Sequence, residues 1–300
     1  MSARRGVGAS AWLAAGAGTR ARAGAGLAAG AAVAAVAALA GCADDGAAPS
    51  TQLVAPRLLA IAADPPVVGL DGASALRALV VDGDGREAAA EVTWRACSPW
   101  QVVRDPEVDC ASAVALALAV EPDGAARLDV AAAIARFGRP PVLPAPTPCQ
   151  PATVAVPVIA TAVVDGLRLV ARKDVAVGSW VGPPRRPPAI AAVTLDGEDA
   201  GTYRPGAEHT LAALPARASL DEACTADDQP VLEPVRMWFY TTAGALDEPS
   251  ADVRYQPDGS EAAGSVRFTG PADVGVVRLW TIAIDRDAGT AWALRELTPR

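Results

Sequence analysis

The sequence predicts an all-β protein of two tandem units carried behind an export signal. Three observations predict it. From Arg57 onward, apolar runs of about six residues end at Gly, Pro and Asp, the punctuation of strands and tight turns. Two longer apolar runs meet at Asp165-Gly166, and two more flank Arg286-Asp287-Ala288-Gly289, as hairpins do. Small groups of residues recur in one order in the two halves, the mark of an internal repeat. Alanine is abundant and inflates helix propensity, so the pattern of runs and turns takes precedence over it.

In chain order, the first segment holds Arg4, Arg5, Arg20 and Arg22, then an uncharged run from Ala23 to Ala38, then Leu39-Ala40-Gly41-Cys42. A positive start, an apolar centre and small residues before a cut site make a secretory signal. With cysteine directly after the small pair, the stretch resembles the lipobox of bacterial lipoproteins. That resemblance implies a signal peptide over residues 1–41, lipidation of Cys42 and a membrane partner reached through the lipid. Glycines at 24, 26 and 30 make the run a poor permanent span. Ala43 stands where lipoproteins kept at the inner membrane of enteric bacteria carry aspartate, so the expected address is the cell envelope, at the outer membrane. Residues 42–56 are small, polar and proline-containing, and read as a flexible tether.

Charge narrows the partners. The chain carries a net charge of −8, and its first 41 residues hold four arginines and no acid, so the remainder stands near −12. Such a chain repels nucleic acid and anionic headgroups. Cys97, Cys110, Cys149 and Cys224 remain beside Cys42, an even set that suits disulfides in an exported chain. Three pairings are open. Cys97 with Cys110 is favoured because it closes a short loop around Ser98-Pro99-Trp100, and it leaves Cys149 for Cys224.

The first unit is expected over residues 57–181. Leu58 to Ala63, Leu76 to Val81 and Glu91 to Cys97 read as strands, the last with Val92, Trp94 and Ala96 on one face. Trp94 is therefore the expected core aromatic. Val114 to Val120 reads as a strand, and Leu128 to Phe137 as a short helix with Asp129 at its start and Gly138 past its end. Thr153 to Val164 and Leu167 to Val177 close the unit as a hairpin. Residues 182–188, with four prolines, read as a semi-rigid linker.

The second unit is expected over residues 189–300. Ala60-Ile61-Ala62-Ala63 recurs as Ala189-Ile190-Ala191-Ala192, Gly72-Ala73 as Gly206-Ala207, Val92-x-Trp94 as Arg236-x-Trp238, and Arg168-Leu169 as Arg278-Leu279. Trp280 and Trp292 are expected near each other across the last hairpin. The strand order, with Val-Thr-Trp-Arg-Ala-Cys in the first unit and Trp238-Phe239-Tyr240 and Val277-Arg278-Leu279-Trp280 in the second, resembles immunoglobulin-like domains of bacterial envelope lipoproteins. The resemblance implies two β-sandwich domains in tandem, and it carries no active site with it.

Chemistry is scarce in this sequence. His209 is the single histidine, read as a surface or edge-strand residue, so multi-histidine metal sites are excluded and a Ser-His-Asp triad has one candidate base. Lys173, the single lysine, lies in an expected strand rather than a phosphate loop. Asp82 with Asp84, Asp196 with Glu198 and Asp199, and Asp285 with Asp287 sit where tight turns want acids, and calcium is their other use. No cofactor and no metal is expected. The function that follows is a non-catalytic, membrane-anchored module that binds or scaffolds an envelope protein or glycan. The alternatives are a surface carbohydrate-binding or adhesion protein, using Trp100, Trp180 and Tyr203 as ligand aromatics, and a carboxylate-dependent hydrolase.

Overall fold

Strand order defines the architecture. The computed structural model describes residues 51–99, 110–111, 114–139, 143, 145–147, 151–224 and 230–300. The first eight strands are β1 (Arg57–Asp64), β2 (Val67–Val68), β3 (Ala73–Val81), β4 (Glu91–Ala96), β5 (Leu116–Ala117), β6 (Ala126–Asp129), β7 (Ala152–Val164) and β8 (Leu167–Ser179). They form one sheet in the order β1-β3-β6 and a second in the order β2-β8-β7-β4-β5. Trp94 is buried between them with Leu76, Leu128 and Val158, and its indole N–H donates to the Gly124 carbonyl at 3.1 Å, so the ring packs without leaving a polar atom unpaired.

The short helix α1 (Val130–Phe137) begins two residues later than Leu128, because Ala126–Asp129 pairs with β3 first. Asp129 accepts the Ala132 N–H at 3.1 Å as N-cap, and the Gly138 N–H closes the other end on the Ile134 carbonyl. Val130 and Ala133 face the core. The expected strand over Val114 to Val120 is reduced to β5, with Val120 bridging Ala126.

The remaining strands are β9 (Ile190–Leu195), β10 (Glu198–Asp199), β11 (Thr202–Tyr203), β12 (Glu208–Pro215), β13 (Glu222–Cys224), β14 (Pro230–Leu232), β15 (Val235–Thr241), β16 (Ala245–Leu246), β17 (Ser250–Tyr255), β18 (Glu261–Ala263), β19 (Ser265–Thr269), β20 (Val277–Asp285) and β21 (Thr290–Pro299). They form the sheets β10-β9-β12-β19-β16 and β11-β21-β20-β15-β17-β18, with β13-β14 as a separate hairpin. The plan of the first sandwich is repeated. β1, β3 and β6 correspond to β9, β12 and β19, and β4, β7 and β8 correspond to β15, β20 and β21. One pair of two-residue strands agrees as well, since β2 pairs parallel with β8 and β11 pairs parallel with β21. This double sheet with crossing connections is that of immunoglobulin-like sandwiches.

Two of the matched residue groups fall on non-equivalent places. Arg168 lies in β8, the last strand of its sandwich, whereas Arg278 lies in β20, the next to last of its own. Trp94 points into its core, but Trp238 points out of its sandwich, because Val235, Met237 and Phe239 fill the inner face of β15. A shift of one residue along a strand exchanges its two faces.

Candidate functional site: the seam between the sandwiches

Outward-facing apolar side chains make the contact between the two sandwiches. On β3, Leu76, Ala78 and Val80 face the first core, while Leu79 and Val81 face the second sandwich. There they meet Trp280 and Ile282, with Trp238, Tyr240, Ile284, Trp292 and Leu294 packed around them. Trp280 pairs in register with Leu294, and Trp292 with Ile282. The two indoles thus share one face without standing opposite each other. Trp280 is 3% exposed and donates its N–H to the Gly85 carbonyl at 2.8 Å, while the Arg77 guanidinium lies 5.8 Å over the Trp292 ring.

Polar contacts fasten both ends of this apolar middle. At one end, Asp82 accepts N–H groups of Asp84 and Arg86, which fixes a tight turn and turns the Asp84 and Gly85 carbonyls toward Arg278 and Trp280. Gly85 has φ 71°, and a Cβ there would run into the Thr242 side chain, so only glycine suits the approach. Thr51 to Leu53 also belong to the seam, so within the tether expected over residues 42–56 these three are docked. Gln52 bridges Thr241 in parallel, and Leu53 is buried among Leu79, Val81 and Trp280. An apolar leucine gains more from this burial than from solvent.

The other end is charged. Lys173 on β8 reaches the Ala288 carbonyl and the Thr290 hydroxyl on the second sandwich. Arg185, from the proline-rich linker, is held near Asp221 at 3.8 Å and Asp287 at 3.5 Å, and donates to the Glu222 carbonyl at 3.0 Å. The linker is thereby tied to the second sandwich through Arg185. Glu233, 2% exposed, accepts the Asp221 N–H, and Asp285 accepts the Gly289 N–H at 2.6 Å while its second oxygen is buried without a partner. Burial, with Asp285 close by, pushes Glu233 up to about 8, and burial pushes Asp285 up to about 7. Burial likewise lowers Lys173 to about 8 against the pull of Asp285 and Asp174, and raises Asp221. Sequence reasoning missed this cluster, because its members are scattered over five segments.

Beside the charged end, an open cavity of about 610 Å³ lies along β15, β17 and β20 against the β13–β14 hairpin. Arg236, Trp238, Arg254, Ile284 and Arg286 line it, with Asp252 between the first and third.

The other expected site residues are not brought together. Tyr203 has no exposed surface, stands edge-on to Phe268 and donates its hydroxyl to the Gly275 carbonyl, so it cannot serve as a ligand platform. Trp180 is half-buried and donates to the Pro183 carbonyl, and Trp100 lies outside the described residues. His209 is buried rather than at an edge. It sits in the central strand β12, where its Nδ1 bonds Asp196 at 2.8 Å and its Nε2 accepts the Arg204 N–H. Asp196 is thereby committed to His209 and the Thr210 N–H, both of which hold its carboxyl below the usual range. Among the described residues no three acids, cysteines or histidines group to hold a metal.

Cys97 and Cys110 are joined, with Cα atoms 5.5 Å apart, and pack with Ala115 and Ile159. Cys224 is also disulfide-bonded; its expected partner Cys149, like Cys42, lies outside the described residues. Replacing Cys97 and Cys110 together by alanine is expected to lower the unfolding free energy by about 2–3 kcal/mol in urea titration, the order set by freeing a loop of this size. A peptide map without reduction is expected to contain Cys149 joined to Cys224.

No protein-family model matches the chain, and neither does any curated protein. Among solved structures it is similar to the N-terminal Ig1-2 module of the Drosophila receptor protein tyrosine phosphatase DLAR, at 11% identity over 82% of this chain and 99% of that one, with a TM-score of 0.23. It is also similar to fibronectin(III)-like modules of Clostridium thermocellum CbhA, at 12% identity over 80% and 94%, TM-score 0.24. The D0-D1 domain of intimin matches at 15% identity over 80% and 98%, TM-score 0.22. The likeness supplies no function, and the class of the fold rests on the strand order.

Proposed function

We propose that the protein is a non-catalytic, lipid-anchored lipoprotein of the cell envelope. In this reading residues 57–181 and 189–300 are two immunoglobulin-like domains that act as one rigid module, binding or scaffolding an envelope protein or glycan. The observation that carries the reading is the seam. An apolar contact fastened at both ends holds two binding-type sandwiches in one orientation, and the chain leaving the lipidation sequence is built into it through Leu53. The buried carboxylates support the same reading, because Lys173 and Arg185 answer them in an arrangement that holds surfaces together.

The test is the intact mass and location of the native protein. A species beginning at Cys42 with two or three acyl chains, found in the membrane fraction, is the expected result. Cys42→Ala is expected to move the protein out of that fraction. An unlipidated chain that keeps its first 41 residues would remove the anchor from the reading.

A further inference from the structure

We propose that the cavity over β15, β17 and β20 is a binding site for an acidic sugar, a saccharide ring carrying a carboxylate. The proposal rests on the reading of the chain as a binding module and names the ligand of that module.

Charge is the first ground. In a chain of net charge −8, this wall carries Arg236, Arg254 and Arg286, with Asp252 held between the first two and the buried Asp285 at the margin. A pocket of reversed sign in an acidic protein draws anions and repels the cations that the rest of the surface attracts.

Pre-organisation is the second. Arg236 bonds Asp252 through Nε at 2.8 Å and Nη2 at 3.4 Å, and Arg254 bonds it through Nη2 at 2.9 Å. One carboxylate thus holds both forks. Each guanidinium has about five N–H donors, so most remain for a ligand, and planar forks match carboxylate geometry. Holding the forks before binding lowers the entropy lost when a ligand arrives.

The floor is the third. Trp238 and Ile284 supply an apolar base beside these donors. A sugar ring presents an apolar C–H face suited to an indole, and its hydroxyls need donors and acceptors side by side. The arginines and Asp252 are that mixture. At about 610 Å³ the cavity has room for one or two rings. A bare anion would leave the indole unused, and a neutral sugar would leave the guanidiniums unused.

The experiment is isothermal titration of the full chain in detergent micelles with a galacturonate disaccharide, beside maltose and the peptide trialanine. The galacturonate disaccharide is expected to bind, with maltose and trialanine at least tenfold weaker. The doubly substituted Arg254→Gln, Arg286→Gln protein is expected to lose at least tenfold in affinity with an unchanged melting temperature, since both side chains are exposed. No binding of the disaccharide by the folded protein, or equal binding by the doubly substituted protein, would overturn the proposal. Tighter binding of maltose or trialanine, abolished by Trp238→Phe, would overturn the acidic sugar while leaving a binding module in place.

Discussion

Trp280→Ala is expected to lower the unfolding free energy by about 3–5 kcal/mol, the range for removing a large buried aromatic. The effect is large because two losses fall together. The indole fills the middle of the contact among Leu53, Leu79, Val81 and Ile282, so its removal leaves a cavity that neither sheet can close without shifting. It also leaves the Gly85 carbonyl, buried in the seam, without its donor. Trp280→Phe restores most of the apolar volume but not the donor, and is expected to cost about 1–3 kcal/mol. Urea denaturation measures both. Small-angle scattering adds what a core mutation would not change: the alanine protein is expected to broaden in radius of gyration before it unfolds, as the sandwiches part. A loss below about 1 kcal/mol with unchanged scattering would show that something else holds them.

Stability is expected to fall as pH rises from about 4.5 to about 8, and to recover above that. Glu233 gives the first part. Its folded value is raised to about 8 from 4.5, so the unfolded chain sheds this proton first, and every rise in pH across that window favours unfolding. Asp285, raised to about 7 from 3.8, acts in the same direction. Lys173 acts oppositely and later. Its folded value is lowered to about 8 from 10.5, so the unfolded chain holds more protons between those values and stability rises with pH there. Each proton of difference contributes about 1.4 kcal/mol per pH unit. Glu233→Gln keeps an oxygen to accept the Asp221 N–H but has no proton to lose, so its stability curve is expected to be flatter by about one proton between pH 5 and 8. Urea midpoints measured at intervals of pH decide this. A curve for the glutamine protein that runs parallel to the parent would exclude Glu233 as the source.

The two cores were legible in the sequence and the contact between them was not. Glu91 to Cys97 alternates cleanly, so Trp94 could be assigned inward from the chain alone, and Asp129 and Gly138 marked both ends of α1. The turns at Asp165-Gly166 and Arg286–Gly289 joined the strands that the structure joins. What misled was β15. Its apolar residues occupy both faces, and alternation has no preference between Met237, which is buried, and Trp238, which is partly covered. The signal that could have found the seam is the stretch Leu279 to Ile284, apolar on both faces with Thr281 as its one polar residue. An antiparallel strand with one wet face alternates, and one that does not is covered on both. Tyr203 and His209 misled for another reason. Each lies near a turn, where exposure is the usual expectation, yet both turn back onto Phe268 in the core. The carboxylate cluster had no local pattern at all, since only folding brings Asp221, Glu233, Asp285 and Asp287 to Lys173 and Arg185.

The parallel pairing of Gln52 with Thr241 has a mechanical meaning. A pull on the chain ahead of Thr51 meets β15, the inner strand of a six-stranded sheet, before it reaches β1. The hydrogen bonds from Leu53 to Thr241 and from Thr241 to Thr51, at 2.8 and 2.9 Å, lie across the direction of that pull and share its load together, as a shear joint does, instead of opening one by one like a zip. Tension applied ahead of Thr51 is thus delivered to the second sandwich, and the strand that begins the first one stays slack.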